Sequence, residues 1–472
     1  MKILLIEDDV DWVAMMAPQI EALGAHQLVV AENRDAAFER LGELTYDLIV
    51  CDLKIPADAH ALDPDVAHGV AVLDRIEETA EGTRVVVLSG FGTLPVLQPY
   101  LARGAPADYF GTGTMWDMRD HVVKRDVDQF LDGLARFGEE NAALERIEVN
   151  GAVALGLSAE NVRILRSFAC RHGGVTVDLR PLDGGRSSAR TLAIEAKNQG
   201  DATCCRAVAK LDGLRAVYDE VARYFARIAP LLPLGTYTPF SGQVLVGAGG
   251  RGGVFYTLAE GYSSSLFDEI RSDPDRALGT IAILRQNLTS WYSNATAATV
   301  ALRGLRLEQA PDDVLADPVL ARLACADEER RDLHIHLGTS HGDLHGGNVL
   351  VNDDGQPVLI DFGRASQSSV VYDPVALELS MICHPDAQLG LGGWPSDEQW
   401  ARWSEIDAFV EGCPIEPIVR DCRDWANGIT RGEREVLGCA YAYLMRQLPY
   451  GHVPGPVIAL AVGGVLKGLA TR

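Results

Sequence analysis

The run HGDLHGGNVLV, residues 341–351, packs two histidines, an aspartate, an asparagine and three glycines into one short stretch. With His334 and His336 just upstream, the histidines suggest a metal cluster. Yet no cysteine and no helical HExxH spacing accompanies them, as a zinc site would require. The acids and the amide carry the better pattern. Asn348 stands five residues after Asp343, and Asp361, in VLIDFG, thirteen after Asn348. The runs NVLVN and PVLID flank the turn DDGQ and predict a small hairpin that brings Asn348 and Asp361 together at one end. Phosphoryl transfer needs a base that orients the acceptor and oxygen ligands for Mg²⁺ between the β- and γ-phosphates, because positioning and charge neutralisation are most of its catalysis. Asp343 suits the first task; Asn348 and Asp361 suit the second.

Working upstream, three extended runs starting at Val175, Arg190 and Cys204 are separated by DGGRSS and KNQGDA, which predicts an antiparallel meander. Gly184 and Gly185, followed by Ser187 and Ser188, leave backbone N–H groups open to a phosphate in the first turn. Lys210 ends the third run in RAVAK, and Glu220 follows in the helical stretch GLRAVYDEVARYFARI. GAGGRGG, at 247–253, superficially matches a dinucleotide fingerprint, but β-rich VFYTLAEG follows where that motif needs a helix, so it reads as a hairpin turn. TLAEG, containing Glu260, then reads as a hinge beside an adenine.

Taken in order, the glycine turn, Lys210, Glu220, hinge, Asp343, Asn348 and Asp361 resemble the kinase-like superfamily. HGDLHGGN is closer to aminoglycoside or choline phosphotransferases than to protein kinases, which carry HRD where this chain has His341-Gly342-Asp343. The resemblance covers roughly residues 160–472. It implies a bilobal α+β protein-kinase-like fold, ATP and Mg²⁺ as cofactors, catalytic roles for Asp343, Lys210 and Glu220, and Asn348 and Asp361 as metal ligands. Gly184, Gly185, Ser187, Ser188, Lys210 and Glu260 would hold the nucleotide. His341 would brace the catalytic loop, and Asp373, in YDPVALELSM, would tie down the following helix. No APE-like anchor follows DFGRAS, which favours a small-molecule-type scaffold, although some relatives of that scaffold phosphorylate proteins.

The first third alternates short β-branched runs with amphipathic ones: KILLIE, QLVVAE, YDLIVCDL, RVVVLSG and ADYF are the expected strands, with helices between. That pattern predicts a five-stranded doubly wound parallel sheet. Functional groups collect at the carboxyl ends of such strands. Glu7, Asp8 and Asp9 stand after the first, Asp52 after the third and Ser89 after the fourth. Converging carboxylates repel one another unless a hard cation such as Mg²⁺ sits among them, and an aspartate beside Mg²⁺ can attack a phosphoryl donor. The segment resembles a response-regulator receiver domain over about residues 1–125. The resemblance implies Asp52 as phosphoacceptor, Glu7, Asp8 and Asp52 around the receiver Mg²⁺, and Ser89 and Tyr109 as switch residues. One departure stands out: the lysine that the family places after strand five falls near Thr112. Lys124 lies too far along to take its place without a rearranged loop. The alternative is a degenerate receiver kept as a docking platform.

The expected organisation is a receiver at 1–138, a connector and helix at 139–172 with an N-cap at Ser158, an N-lobe at 173–262 and a C-lobe at 263–472. Of the 472 residues, 47% are hydrophobic, an ordinary globular share, and the net charge of -24 argues against broad attraction to nucleic acid or anionic membranes. Nine scattered cysteines without CxxC pairs fit reduced thiols, and neither a signal peptide nor a spanning run is evident, so a cytoplasmic location is expected. The reading is a phosphotransferase regulated by a receiver in a signalling or defence context, similar to kinase-like components of bacterial multi-gene conflict systems. Its partners would be an unknown small-molecule or protein acceptor, a histidine kinase or other phosphodonor, and a second copy of the chain in a homodimer. The rival is a pseudokinase or nucleotide-binding adaptor. A transcription regulator is disfavoured, since no basic recognition helix follows the receiver.

Overall fold

The computed structural model describes residues 1–61, 63–90, 94–182, 190–258, 261–262 and 264–471. They form two compact units, Met1–Asp219 with Phe240–Leu258, and Glu220–Pro239 with Ala259–Arg472.

The first unit opens with β1 (Lys2–Ile6), α1 (Val10–Ala22), β2 (Gln27–Ala31), α2 (Arg34–Glu43), β3 (Leu48–Cys51), α3 (Val66–Thr79), β4 (Arg84–Ser89) and α4 (Leu94–Leu101). The fifth strand is β5 (Arg119–Val123), and the parallel sheet runs β2-β1-β3-β4-β5. ADYF is therefore not the fifth strand. Ala107 belongs to a two-residue ladder with Trp116, and the Asp108 carboxylate accepts the N–H groups of Gly111, Thr112 and Gly113 at 2.7–3.2 Å. A carboxylate collecting successive amides makes a turn, which takes those amides out of any ladder.

The central strands β1, β3 and β4 are buried on both faces, as a doubly wound sheet demands. Leu4, Ile6, Ile49, Val85 and Val87 pack on one face with Ala37, Leu41, Val72 and Ile76 of α2 and α3. The opposite face, with Ile3, Leu5, Val50, Val86 and Leu88, packs against α1 and α5 (Val127–Glu145). That second core does not stop at the receiver-like sheet. It continues through Tyr109, Phe110 and Phe137 into α6 (Ala159–Arg171) and a six-stranded sheet.

That sheet comprises β6 (Glu148–Asn150), β7 (Thr176–Pro181), β8 (Arg190–Lys197), β9 (Thr203–Gly213), then α7 (Leu214–Arg223), β10 (Phe240–Val244) and β11 (Arg251–Thr257). Its order is β10-β11-β9-β8-β7-β6, antiparallel except for β6 with β7. The expected meander and the GAGGRGG hairpin are present, and Ser158 caps α6 by accepting from Asn161 N–H at 3.3 Å. A boundary after residue 138 falls inside α5 and cuts a continuous core, so the receiver-like sheet and the antiparallel sheet are one unit.

The glycines of that hairpin have a packing role. Gly82 donates to Gly249 O at 3.0 Å and accepts from Gly247 N–H at 2.8 Å. A Cβ on Gly82 would stand 2.7 Å from Gly249 O, so only glycine permits this backbone contact.

The second unit is mainly helical. A long strand, β12 (Asp332–Ser340), leads into the 341–348 loop, and β13 (Val349–Val351) and β14 (Pro357–Leu359) make the expected hairpin. Behind them pack α8 (Tyr372–Cys383), α9 (Glu416–Ile429), α10 (Glu433–Gln447) and α11 (Gly455–Thr471). Among the described residues no helix is long and apolar enough to cross a membrane.

Candidate functional site

At the carboxyl edge of the parallel sheet, Glu7 follows β1 and Asp52 follows β3; both side chains are buried. One ligand oxygen from each of Glu7, Asp8 and Asp52 lies within 4.8 Å of the others. Asp9, by contrast, caps α1 by accepting from Trp12 N–H at 3.0 Å. Three clustered carboxylate oxygens suit a hard divalent cation. Burial, with the neighbouring Asp52 charge adding to it, pushes Glu7 up to about 6, although its hydrogen bond to Lys124 works against the rise.

The structure supplies a cation there from the protein itself. Lys124 immediately follows β5, and its Nζ lies 2.6 Å from Asp52 Oδ2 and 2.8 Å from Glu7 Oε1. Burial works against its charge, but the hydrogen bonds to Asp52 and Glu7 outweigh that and raise its pKa. The expectation that Lys124 lies too far along is thus corrected. The chain between α4 and β5 carries the extra ladder and the Asp108 turn, which absorb the intervening residues.

Ser89, fully buried at the end of β4, has its Oγ 2.8 Å from His121 Nε2 on β5. Tyr109 is elsewhere. It is fully buried, edge-on to Phe137 at 5.7 Å, on the segment before β5. The switch role expected of Tyr109 assumed that it lay on the fifth strand, and that placement does not hold. On β5 it is His121 that is bonded to Ser89.

In the second unit, the 341–348 loop is held from behind by Asp373 on α8. Its buried carboxylate accepts from Ser340 Oγ and His341 N–H, both at 2.8 Å, and from Gly342 N–H at 3.1 Å. Asp373 therefore secures the loop rather than its own helix. Burial raises its pKa, and these three donors oppose that rise. His341 is fully buried and donates through Nε2 to Ile360 O at 3.0 Å, the bracing expected of it. Gly342 adopts φ +72°, and a Cβ there would meet Arg364 O at 2.6 Å.

Asp343 sits beside Arg446 of α10, Nη1 to Oδ1 2.9 Å. Burial alone would raise the Asp343 pKa, but the guanidinium overcomes it and holds the carboxyl below its usual range. Asn348 Nδ2 donates to Asp343 O at 2.9 Å, and Asn348 O accepts from Ile360 N–H at 3.1 Å. The loop and the segment that runs from β14 to Asp361 are thereby tied together. Asp361 is exposed and carries φ +60°, a left-handed conformation that is costly for a residue other than glycine. An amide whose N–H₂ is committed to the loop, next to an exposed aspartate, offers two oxygen ligands of the kind Mg²⁺ takes. His345 stacks on His384 with ring centroids 4.2 Å apart, and burial pushes its pKa down to about 4.

Lys210 lies on β9, opposite Thr191 and Val254, and Glu220 lies on α7; both side chains are buried. They belong to different units. Gly184, Gly185, Ser187, Ser188 and Glu260 lie outside the described residues. Sequence reasoning set Lys124 aside and missed His121 and Arg446. The alternation in RDHVVK could have revealed the first two; nothing local marks Arg446.

Residues 3–109 match the family model described as response regulator receiver domain, and residues 271–390 match the one described as ternary complex associated domain 9. The C-terminal part is similar to the aminoglycoside-3'-phosphotransferase of type VIII, at 16% identity and a TM-score of 0.38, covering 61% of this chain and 99% of that one. It is also similar to a thermostable mutant of aminoglycoside phosphotransferase APH(4)-Ia, at 14% identity and a TM-score of 0.37, covering 62% and 94%. The N-terminal part is similar to the receiver domain of a sensor histidine kinase from Pseudomonas aeruginosa PAO1, which holds a magnesium ion in its active-site cleft. That match has 16% identity and a TM-score of 0.20, covering 28% of this chain and 96% of that one. No curated protein matches the chain.

Proposed function

We propose that the C-terminal part transfers the γ-phosphoryl group of Mg²⁺-bound ATP to a hydroxyl, and that the receiver, phosphorylated on Asp52, regulates it. The observation that carries this reading is the constellation around Asp343, whose carboxylate is held by Arg446 and tied through Asn348 to the segment that runs from β14 to Asp361. Asp343 would accept the hydrogen bond of the attacking hydroxyl. The acceptor oxygen bonds to the γ-phosphorus as the bond to the β,γ-bridging oxygen breaks, ADP leaves, and the hydroxyl proton passes through Asp343 to solvent. Asn348 and Asp361 would hold Mg²⁺, which neutralises phosphate charge when bound. In the receiver, Glu7, Asp8 and Asp52 would hold a second Mg²⁺ while Asp52 attacks a phosphodonor. The match of residues 271–390 to a model described as ternary complex associated domain 9 fits action within a larger assembly.

The test is incubation of the full chain with ATP and Mg²⁺, with lysate as the source of acceptors. We expect phosphorylated product from wild type and none from Asp343→Ala. Nucleotide binding with no turnover in either protein would instead establish a nucleotide-binding adaptor.

A further inference from the structure

Arg446 is the charged group at the candidate site that no motif accounts for. We propose that it is a positioning residue for phosphoryl transfer, clamping one oxygen of Asp343 so that the other faces the acceptor hydroxyl. This inference rests on the phosphotransferase reading above.

Three observations support it. The first is contact: Nη1 lies 2.9 Å from Asp343 Oδ1 and also reaches Gly342 O at 3.4 Å, so one guanidinium touches both the carboxylate and the loop backbone that carries it. A planar guanidinium fixes a carboxylate's orientation in a way that a freely rotating ammonium does not.

The second is how Arg446 is itself held. Glu435, fully buried at the other end of α10, accepts from His336 N–H at 2.8 Å and Ser369 Oγ at 2.7 Å through Oε1, and from Arg431 N–H at 2.8 Å and Thr430 Oγ1 at 3.0 Å through Oε2. Glu435 and Arg446 are about three turns apart and share a helix face. One end of α10 is therefore pinned to β12, the strand that delivers the loop, and the other end grips the loop itself. Asp343 and its partner cannot drift independently.

The third is the lack of a substitute in the loop. His341 is committed to Ile360 O, and His345 is stacked with Phe267 and His384 while its Nδ1 accepts from Gly347 N–H. Arg364, the next arginine along, donates to Glu308 O.

The experiment uses the full chain with Mg²⁺ and ATP and water as acceptor, reading ADP release. Arg446→Ala should lower kcat about 100-fold, the scale of a mispositioned acid–base group, with KM for ATP changed less than about threefold. Arg446→Lys should fall between. Low-millimolar guanidinium should restore part of the Arg446→Ala rate, while sodium at equal ionic strength should not. Wild-type kcat in Arg446→Ala, a loss expressed only in KM for ATP, or a folded variant indifferent to guanidinium would each overturn the role. If Arg446→Ala fails to fold, Arg446→Lys decides: a wild-type kcat there shows that charge without the planar fork suffices and overturns the clamp. ADP release by wild type no faster than by Asp343→Ala, with lysate acceptors as well as with water, would mean that the phosphotransferase reading itself has failed, and the positioning role with it.

Discussion

Asp52 and Asp343 are each held by a cation delivered from far along the chain, Lys124 in the first unit and Arg446 in the second, yet the two grips differ. Lys124 is a point charge shared between Asp52 and Glu7, about a quarter exposed, at a cluster where a divalent cation would compete for the same oxygens. Arg446 is more deeply buried and binds a carboxylate and a backbone carbonyl together from a helix pinned at its far end. A compact ammonium on a flexible stem suits a site whose charge must be rearranged. A planar fork suits one whose geometry must stay put.

The largest expected effect separates the two sites outright. Asp343→Asn should reduce ATP turnover by about 10²–10⁴-fold while leaving Asp52 as reactive toward acetyl phosphate as in wild type. Measuring ADP release alongside incorporation of label would check this, and parallel loss of both would break the comparison.

Next comes Lys124→Ala. Removing the ammonium leaves Glu7, Asp8 and Asp52 uncompensated, and breaking a largely buried pair should cost about 2–3 kcal/mol in metal-free buffer. Mg²⁺ should return more stability to this variant than to wild type, since binding to the folded state alone stabilises it. Denaturant melts with Mg²⁺ or with chelator test this; equal gains in both proteins would show that Lys124 and the metal do not share the site.

A smaller effect probes the joint core. Gly82→Val would press a side chain onto Gly249 O and should cost about 1–2 kcal/mol by overpacking. Because receiver and antiparallel sheet share one core, probes in each should report the same lowered transition. Separate transitions would mean that the two sheets unfold independently.

The smallest concerns pH. His26 has both ring nitrogens buried without partners, and burial, with the N-terminal ammonium, lowers its pKa from 6.5. Below 6.5 the unfolded chain takes a proton that the folded chain resists, so stability from this residue is present above that value and falls as pH drops through the folded pKa. His26→Gln should flatten the acid limb of the stability profile, measured as denaturant midpoints between about pH 5 and 7.

Much of both sites was legible because it is local. Asp343, Asn348 and Asp361 lie in one loop and one hairpin, whose turn residues specify their own geometry. Glu7, Asp8 and Asp52 follow strands that β-branched runs announce. Strand five was misplaced because ADYF has strand-like residues, while Asp108 is a strong turn-former whose effect depends on three amides downstream. That error carried Tyr109 into the switch, set Lys124 aside and hid His121.

The sequence by itself determined which acids stand at the two candidate sites, their order, and the parallel and antiparallel sheets of the first unit, since periodicity and turn chemistry act over a few residues. Only the tertiary structure decided what holds those acids. Lys124 reaches Asp52 across 72 positions and Arg446 reaches Gly342 across 104. It also decided that the receiver and the antiparallel sheet are one body, because Phe110, Phe137, Phe168 and Phe255 reveal a common core only once they are packed together. No local pattern encodes such pairings: they follow from burying apolar surface and leaving no charge in the interior without a partner.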